Sequence, residues 1–295
     1  MPYNLVMNLS CCEMCPNRCR IDRNKEIGLC GEGIVPRVAR VALHYWEEPV
    51  LSGKNGSGTI FFSGCPMRCV YCQNYEISRM GKGKAYTEDM LIDAIKGLEN
   101  LGANNINFVS PTHFAHVVKS VLKHYTPTVP VVYNTGGYER IETLIELDGL
   151  IDVYLPDLKY IDSALSEKYS GRANYFEYAQ KAIAEMVKQR GAPKIVNGIM
   201  QSGVIVRHLV LPGCTSDSVK IMEYLAKEYG DDIYISAMSQ YTPYCEANKY
   251  PEINRKLKKI EYSRIVAKLN SLNITQCFIQ DSASSNEAYI LPFED

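Results

Sequence analysis

Short apolar segments alternate with amphipathic segments along most of this chain, and this alternation restricts the possible folds more than any other feature. The clearest amphipathic segment runs from Glu88 to Leu101, with Thr87 as a helix N-cap and Gly102 as the stop. A second helix is predicted to begin at Pro251. Its apolar stripe consists of Ile253, Leu257, Ile260, Ile265 and Leu269. The predicted strands are residues 59–63, 106–110, 129–133, 151–155, 203–211, 233–237 and 275–279. Strands separated by helices are typical of βαβ units.

Length and composition narrow this pattern to one main domain. The chain has 295 residues, of which 46% are hydrophobic and 22% charged, which is typical of a globular protein. We predict an α/β fold: a partial (β/α)6 TIM-like barrel over residues 56–295, preceded by a Cys-rich metal-binding extension over residues 1–55.

Charge and hydropathy exclude two classes of partner. Lys and Arg number 32 and Asp and Glu number 33, so the formal net charge is −1, which argues against nucleic-acid binding through a basic surface. No apolar stretch approaches the length of a membrane span, and the first ten residues lack the pattern of a signal peptide. We therefore expect a cytoplasmic protein that binds neither nucleic acid nor membrane.

Polar or Gly-containing segments follow six successive predicted strands. Because functional groups gather at the carboxyl ends of parallel strands, these segments predict one shared site at the mouth of a barrel. Each segment taken singly also suits an ordinary turn. The segments are 64–65, 111–113, 134–137, 156–159, 212–213 and 239–241.

Three of the eleven cysteines, Cys65, Cys69 and Cys72, follow the first predicted strand with the spacing C-x3-C-x2-C. Thiolates suit iron-sulfur clusters, and a four-iron cluster with three protein ligands keeps one iron open to another ligand. The alternatives are a three-cysteine zinc site with a distant fourth ligand and buried free cysteines.

This loop, with Tyr71 before the last cysteine, resembles the radical S-adenosylmethionine (SAM) superfamily. The flanking SGTIFFSGC (57–65) and CQNYEIS (72–78) resemble its pyruvate formate-lyase activating enzyme-like subgroup. The resemblance extends through most of the chain. Its further segments are PTH (111–113), YNTGGY (133–138), YLPDLKY (154–160), VRHLVLPG (206–213) and MSQY (238–241).

The resemblance implies a [4Fe-4S] cluster on Cys65, Cys69 and Cys72, and SAM bound at its open iron. Reductive cleavage of SAM then gives a 5′-deoxyadenosyl radical that abstracts hydrogen from a substrate. The resemblance also implies an electron donor such as flavodoxin or ferredoxin. The substrate is then the glycine of a glycyl radical enzyme, or alternatively a peptide or a small molecule. The alternative from another class is a non-catalytic iron-sulfur electron carrier or metal-binding module.

The resemblance also implies a set of cofactor-binding residues. Lys159 would meet the SAM carboxylate, while Asp157 would help to hold a monovalent cation. Asn134 and Thr135 occupy the place of an Asp-Thr pair near that cation, and loss of the aspartate is a departure from the family pattern. Arg207 would border SAM. Without the resemblance, a surface Asp-Lys ion pair and a solvated arginine are the ordinary interpretation.

Four further residues complete this set. Tyr71 and Asn74 would lie beside the adenine. Thr112 and His113 stand where many relatives carry Gly-Gly-Glu, so we expect them to bind the cofactor in its place. For His113, contact with substrate or a purely local role is an alternative.

The N-terminal cysteines Cys12, Cys15, Cys19 and Cys30 offer four thiolates within nineteen residues, with Cys11 as a spare or as a replacement for Cys12. Their spacing differs from that of ferredoxins, and the segment GLCG (28–31) resembles a zinc knuckle. We predict a second metal here, either structural zinc or an auxiliary iron-sulfur cluster, with free thiols as the alternative.

Overall fold

The computed structural model describes residues 7–280, which form a mixed α/β fold around one large sheet. Its strands are β1 (Arg37–His44), β2 (Ser57–Phe62), β3 (Lys84–Ala85), β4 (Ile106–Val109), β5 (Val131–Thr135), β6 (Val153–Pro156), β7 (Lys194–Val196), β8 (Ile199–Leu209), β9 (Tyr234–Met238) and β10 (Cys277–Ile279). Its α-helices are α1 (Pro49–Ser52), α2 (Tyr75–Ser78), α3 (Glu88–Asn100), α4 (Ala115–His124), α5 (Ile141–Ile145), α6 (Ser163–Ser170), α7 (Tyr175–Arg190), α8 (Thr215–Tyr229) and α9 (Lys259–Ser271).

The sheet contains seven parallel strands in the order β10-β9-β8-β6-β5-β4-β2. Each of the seven predicted strands corresponds to one of them, although the boundaries shift by a few residues. Strand β1 continues the sheet antiparallel to β2, β3 pairs antiparallel with β1, and β7 pairs antiparallel with β8. Within residues 7–280, β10 and β3 lie at the two ends of this path, which is consistent with a partial barrel.

The central parallel strands β2, β4, β5 and β6 are buried on both faces. All six residues of β2 are buried, as are all four of β4 and all five of β5. Phe62 stacks on Phe108 with ring centroids 6.1 Å apart, and its ring also contacts Phe114. Near-continuous apolar strands of this kind are typical of parallel sheets covered by helices. This packing fixes the strand ends, from which the loops described below extend.

Helix α3 confirms the clearest helix prediction. It begins after Thr87, whose hydroxyl accepts a hydrogen bond from the Met90 backbone N–H at 3.2 Å. Its apolar face, Leu91, Ile95 and Leu98, is buried. Gly102 follows with φ +81°, a conformation that ends helices readily.

The predicted helix start at Pro251 was wrong. Residues 251–255 form turns, and α9 begins at Lys259. The Glu261 carboxylate accepts hydrogen bonds from the Lys258 N–H at 2.9 Å and from Arg255 at 2.7 Å. Glu261 is the third residue of α9, and its carboxylate satisfies the backbone N–H of Lys258 just before the helix. This pairing makes Lys258 the N-cap, so the helix begins at the next residue. Ile260, which we placed on the apolar stripe of this helix, is 68% exposed.

The predicted boundary at residue 55 falls between two paired strands. Strand β1, on its N-terminal side, pairs with β2 over most of its length. Leu51 of α1 is buried in a cluster with Val132 and Val153 of the main sheet. The second half of the predicted extension therefore packs as part of the main sheet. Separately, none of the helices in residues 7–280 combines the length and apolarity that crossing a membrane requires.

Candidate functional site

A cavity of about 580 Å³ lies at the carboxyl ends of the parallel strands. It gathers residues from the ends of β2, β5, β6 and β8, as the strand-end pattern predicts. Most of the predicted site residues line it: Cys65, Cys69, Cys72, Tyr71, Asn74, Asn134, Thr135, Asp157, Lys159 and Arg207. Thr112 and His113 are not among its lining residues.

The three-cysteine loop leaves β2 through Gly64. This glycine has φ +79°, and a Cβ there would lie 2.5 Å from Glu32 Cγ and 2.7 Å from the Cys30 carbonyl oxygen. A glycine is therefore required for the close approach of the N-terminal segment. The Cys65 N–H donates to the Cys30 carbonyl at 3.0 Å, and the Asn17 side-chain amide donates to the Pro66 carbonyl at 3.0 Å. The Cys-rich N-terminus thus packs directly on this loop.

The thiols of Cys65, Cys69 and Cys72 share one wall of the cavity. Burial raises the pKa of Cys72 to about 12 and raises that of Cys65, and in both cases neighbouring thiols raise it further. Three thiolates that line one cavity would repel one another, so a bound cationic group is needed to keep them ionised. Soft thiol donors facing one cavity are the ligands that an iron-sulfur cluster requires, so these residues fit such a cluster.

Lys159 and Asp157 form an ion pair after β6, with Lys159 Nζ 2.5 Å from Asp157 Oδ2. Burial opposes the charge on Lys159, but Asp157, Cys69 and Tyr175 together outweigh it and raise the pKa of the lysine. Burial likewise opposes charge on Asp157, and Lys159 and Arg207 lower its pKa. Both groups are therefore charged. Among residues 7–280, Asp157 is the hydrogen-bond partner of Nζ, which leaves N–H donors for an anionic ligand.

Arg207 is held by three side chains. Its Nε donates to Asp157 Oδ1 at 3.0 Å, its Nη1 to Glu47 Oε2 at 3.1 Å, and its Nη2 to Asn134 Oδ1 at 2.6 Å. Glu47 also accepts from the Asn134 and Asn107 amides, each at 3.2 Å. Each guanidinium nitrogen therefore has a protein acceptor, and Arg207 orients Asp157, Glu47 and Asn134, whereas Lys159 Nζ is bonded to Asp157. Both oxygens of Asp157 are paired with cations in this arrangement, and the monovalent cation site stays a prediction.

Sequence reasoning missed Glu47 and Tyr175. The Tyr175 hydroxyl lies 2.7 Å from the Asp157 carbonyl oxygen and 3.0 Å from that of Gly136, and it accepts from the Lys159 N–H at 3.0 Å. It therefore ties the loop after β5 to the loop after β6. Neither residue belongs to a motif. The acidic pair Glu47-Glu48, placed between Trp46 and Pro49, was the available signal, because acidic side chains are rarely buried unless they are paired.

Tyr71 and Asn74 both line the cavity. The Tyr71 hydroxyl lies 2.5 Å from that of Tyr160, and its ring makes edge contacts with Tyr169 and Tyr241. The ring of Tyr71 is thereby fixed while its hydroxyl points into the protein. Asn74 precedes α2 and is partly exposed.

Thr112 and His113 lie buried behind the cavity wall. The hydroxyls of Thr112 and Thr135 both donate to Glu139 Oε1. Burial raises the pKa of Glu139 to about 7. His113 Nε2 lies 2.6 Å from the Ser63 carbonyl oxygen, and burial lowers the pKa of this histidine to about 3. The side chains that we expected to bind the cofactor are therefore engaged within the protein.

Cys12, Cys15 and Cys30 are buried, Cys19 is partly exposed, and Cys11 is exposed. Burial raises the pKa of Cys15, and the thiols of Cys30, Cys19 and Cys12 raise it further. The Leu29 N–H points at Cys19 Sγ, 3.5 Å away. Across residues 7–280, no three His, Cys, Asp or Glu side chains are arranged around a single metal ion, and this holds for both groups of cysteines. A second metal therefore stays a prediction.

Several solved structures resemble the chain distantly. Methylornithine synthase (PylB) superposes with a TM-score of 0.49 and 13% identity, over 72% of this chain and 62% of that one. SuiB of Streptococcus suis, bound to its precursor peptide SuiA, superposes with a TM-score of 0.46 and 11% identity, over 70% of this chain and 43% of SuiB. A domain of pyruvate-formate lyase-activating enzyme from Bacteroides vulgatus superposes with a TM-score of 0.41 and 16% identity, over 58% of this chain and 91% of that domain. The chain spans less than two thirds of the first two. Likenesses this distant carry no argument about activity.

Two sequence comparisons are more direct. The Radical SAM superfamily matches residues 59–225, which is more than half of the chain. An uncharacterized protein of Methanocaldococcus jannaschii is 32% identical over 282 residues, covering 89% of this chain and 75% of that protein. A radical SAM domain implies an enzyme of radical reactions that carries a [4Fe-4S] cluster and SAM. Because the family match covers more than half of the chain, the chain belongs to the radical SAM superfamily.

Proposed function

We propose that Cys65, Cys69 and Cys72 hold the [4Fe-4S] cluster of this enzyme and that the adjoining cavity binds SAM. When bound, the cluster and SAM supply a 5′-deoxyadenosyl radical that abstracts a hydrogen atom from the substrate. The observation that carries the proposal is that one cavity contains the three thiols together with Lys159, a charged lysine with N–H donors to spare.

The cavity residues take distinct roles in this proposal. Lys159 binds the SAM carboxylate, because an anion entering a desolvated site needs a charge partner. Arg207 positions Asp157 and Asn134, to which it is bonded. Tyr71 and Asn74 lie beside the adenine.

The remaining predicted residues act mainly behind this surface. Thr135 lines the cavity and, with Asn134, stays our proposal for the neighbourhood of a monovalent cation. We propose that Thr112 and His113 support the wall, since Glu139 and the Ser63 carbonyl oxygen engage their side chains. The buried wall also keeps water away from reactive species, which radical chemistry requires.

We propose further that the substrate is a glycine residue of a glycyl radical enzyme, with flavodoxin or ferredoxin as the electron donor. The support for this substrate is the sequence resemblance to the pyruvate formate-lyase activating enzyme-like subgroup. The same architecture serves other substrates, so the fold alone does not select this one.

The reaction is tested by anaerobic reconstitution of the cluster, followed by addition of dithionite and SAM. We expect 5′-deoxyadenosine and methionine to accumulate together. A variant with Cys65, Cys69 and Cys72 all replaced by Ala is the control and should form neither. If wild-type protein with a verified [4Fe-4S] cluster produces no 5′-deoxyadenosine, the proposal is wrong, and a non-catalytic iron-sulfur protein is the better account.

The substrate is tested by adding candidate glycyl radical enzymes with deuterated glycine. We expect deuterium in 5′-deoxyadenosine and a glycyl radical signal by electron paramagnetic resonance (EPR). If deuterium is transferred only from peptides or small molecules, the activase role is wrong. The proposed SAM chemistry would still hold.

We also propose that Cys12, Cys15, Cys19 and Cys30 bind a second metal, either zinc or an iron-sulfur cluster. Metal analysis of the Cys65/Cys69/Cys72 triple Ala variant isolates this site. About one equivalent of zinc per chain, or the iron of about one cluster per chain, would support the proposal. Adding Cys15→Ala to this variant should remove the metal, whereas adding Cys11→Ala should not. Metal-free protein would contradict it.

A further inference from the structure

The C-terminal end of α6 contacts the three-cysteine loop at three points. The Ser170 hydroxyl donates to Cys69 Sγ at 3.0 Å, and the Val70 N–H donates to the Tyr169 carbonyl at 2.9 Å. The Arg172 guanidinium donates to the Pro66 carbonyl at 2.9 Å. Contacts on both sides of Ser170 therefore hold its hydroxyl in place against Cys69.

Ser170 is the end of a chain of hydroxyl groups. Its Oγ lies 3.0 Å from the Tyr160 hydroxyl, which lies 2.5 Å from the Tyr71 hydroxyl. Each of these side chains, and Cys69 itself, is at least nine-tenths buried. The chain crosses from the cavity wall at Tyr71 to the sulfur of Cys69 without leaving the protein interior.

The direction of this chain follows from the chemistry of its last member. A cysteine sulfur that ligates iron carries no proton and only accepts, so the Ser170 hydroxyl donates to it. The Ser170 oxygen then accepts from Tyr160, and the Tyr160 oxygen accepts from Tyr71. Hydrogen bonds aligned in one direction polarise one another, and the buried surroundings strengthen them.

We propose that Ser170 is a positioning residue that raises the reduction potential of the cluster, with Tyr160 and Tyr71 reinforcing its hydrogen bond. The inference rests on the proposed function, because it assigns Cys69 to the cluster. The step concerned is transfer of one electron from an external reductant to the cluster, with no bond of the chain broken. The added negative charge is shared by the ligand sulfurs, so a donor at Cys69 stabilises the reduced state more than the oxidised state.

The contact at Cys69 differs from those at the other two ligands. The Ser78 hydroxyl donates to Cys72 Sγ at 3.3 Å, and the Met67 N–H lies 3.4 Å from Cys65 Sγ, so both contacts are longer. Cys72 and Cys65 are also partly exposed, whereas Cys69 is buried. A hydrogen bond in the drier surroundings of Cys69 has the larger electrostatic effect.

The test is a redox titration of the reconstituted cluster, followed by EPR, for wild type and Ser170→Ala. At a fixed applied potential, we expect the ratio of reduced to oxidised cluster to fall about threefold to tenfold in Ser170→Ala, as loss of one hydrogen bond predicts. Tyr160→Phe should shift the ratio in the same direction by less. Ser170→Thr keeps a hydroxyl and should lie near wild type.

The matched control is Ser166→Ala on the same helix. Ser166 is buried and its hydroxyl bonds the Arg172 and Ser163 carbonyls, at 2.8 and 3.1 Å, without touching a cysteine. Iron content and the visible spectrum verify an intact cluster in every variant. An unchanged potential in Ser170→Ala, or an equal shift in Ser166→Ala, would overturn the inference. Absence of a reducible [4Fe-4S] cluster in wild type would instead defeat the proposed function.

Discussion

At the scale of single residues, the two cations of the cavity have different tasks. The Arg207 guanidinium donates hydrogen bonds to Asp157, Glu47 and Asn134. Within the described part of the chain, Lys159 Nζ donates to Asp157. A planar group with fixed donors suits the organisation of several partners, and a flexible ammonium suits a ligand. Lys159 is therefore the residue on which SAM binding should depend most.

Lys159→Met should weaken SAM binding by about tenfold to a hundredfold, the loss expected for one charge-assisted hydrogen bond. Equilibrium binding of SAM to the reconstituted protein measures this directly. Lys159→Arg, which keeps the charge, should bind SAM more tightly than Lys159→Met. Equal affinity in wild type and Lys159→Met would remove the assignment of the carboxylate to this residue.

His208 should make stability depend on pH. It is buried, with its Nδ1 2.7 Å from the Leu158 carbonyl oxygen and its Nε2 2.8 Å from Ser218 Oγ. Burial lowers its pKa to about 4, against about 6.5 for an unfolded histidine. Between pH 6.5 and pH 4, this histidine is protonated in the unfolded chain but neutral in the folded protein. The free energy of unfolding therefore falls as the pH falls below about 6.5.

Urea unfolding at pH 7 and pH 5 tests this dependence. Between pH 7 and pH 5, the free energy of unfolding of His208→Asn should fall by about 2 kcal/mol less than that of wild type. This follows because a difference of one pKa unit corresponds to about 1.4 kcal/mol. The comparison is between the two losses, so any constant destabilisation of the variant cancels. If both proteins lose the same free energy of unfolding, His208 does not carry the dependence.

The residues predicted from sequence and those missed differ in how far apart their partners lie in the chain. Cys65, Cys69 and Cys72 lie within eight residues, so local spacing predicted their role. Glu47 and Arg207 are 160 residues apart, and Cys69 and Ser170 are 101 apart, so only the folded chain pairs them. Long-range side-chain pairing leaves no local pattern, which is why the supporting residues escaped prediction.

At the scale of elements, strands were easier to predict than helix ends. The central parallel strands β2, β4, β5 and β6 are buried throughout, and apolar runs mark most of the parallel strands in the sequence. The start of α9 depends instead on Glu261, whose carboxylate accepts from the Gly213 N–H at 2.8 Å, 48 residues away. Where a helix end is set by such a contact, propensity at Pro251 does not decide it.

Helix α3 offers a clean test of an N-cap that lies outside the cavity. Thr87→Ala should lower the free energy of unfolding by about 1 kcal/mol, because the Met90 N–H loses its acceptor. Thr87→Ser should restore most of this. Formation of 5′-deoxyadenosine per cluster should be unchanged in both. A loss of activity at unchanged stability would mean that α3 contributes to the site in a way the packing does not indicate.

At the scale of the whole molecule, the parallel sheet brings residues from distant parts of the chain to one edge. The loops after β2 and β6 and the ends of β5 and β8 supply the thiols, the ion pair, the amide and the guanidinium that meet in the cavity. The N-terminal segment covers the first of these loops through the Cys30 carbonyl oxygen, which accepts from the Cys65 N–H. The central claim is that this assembly is one site for a cluster and SAM together.

EPR of the dithionite-reduced protein, recorded with and without SAM, tests that claim most directly. If SAM binds at the open iron, the signal of the reduced [4Fe-4S] cluster should change on addition of SAM in wild type, and the change should require far more SAM in Lys159→Met. A reduced cluster whose signal is identical with and without saturating SAM would contradict the account.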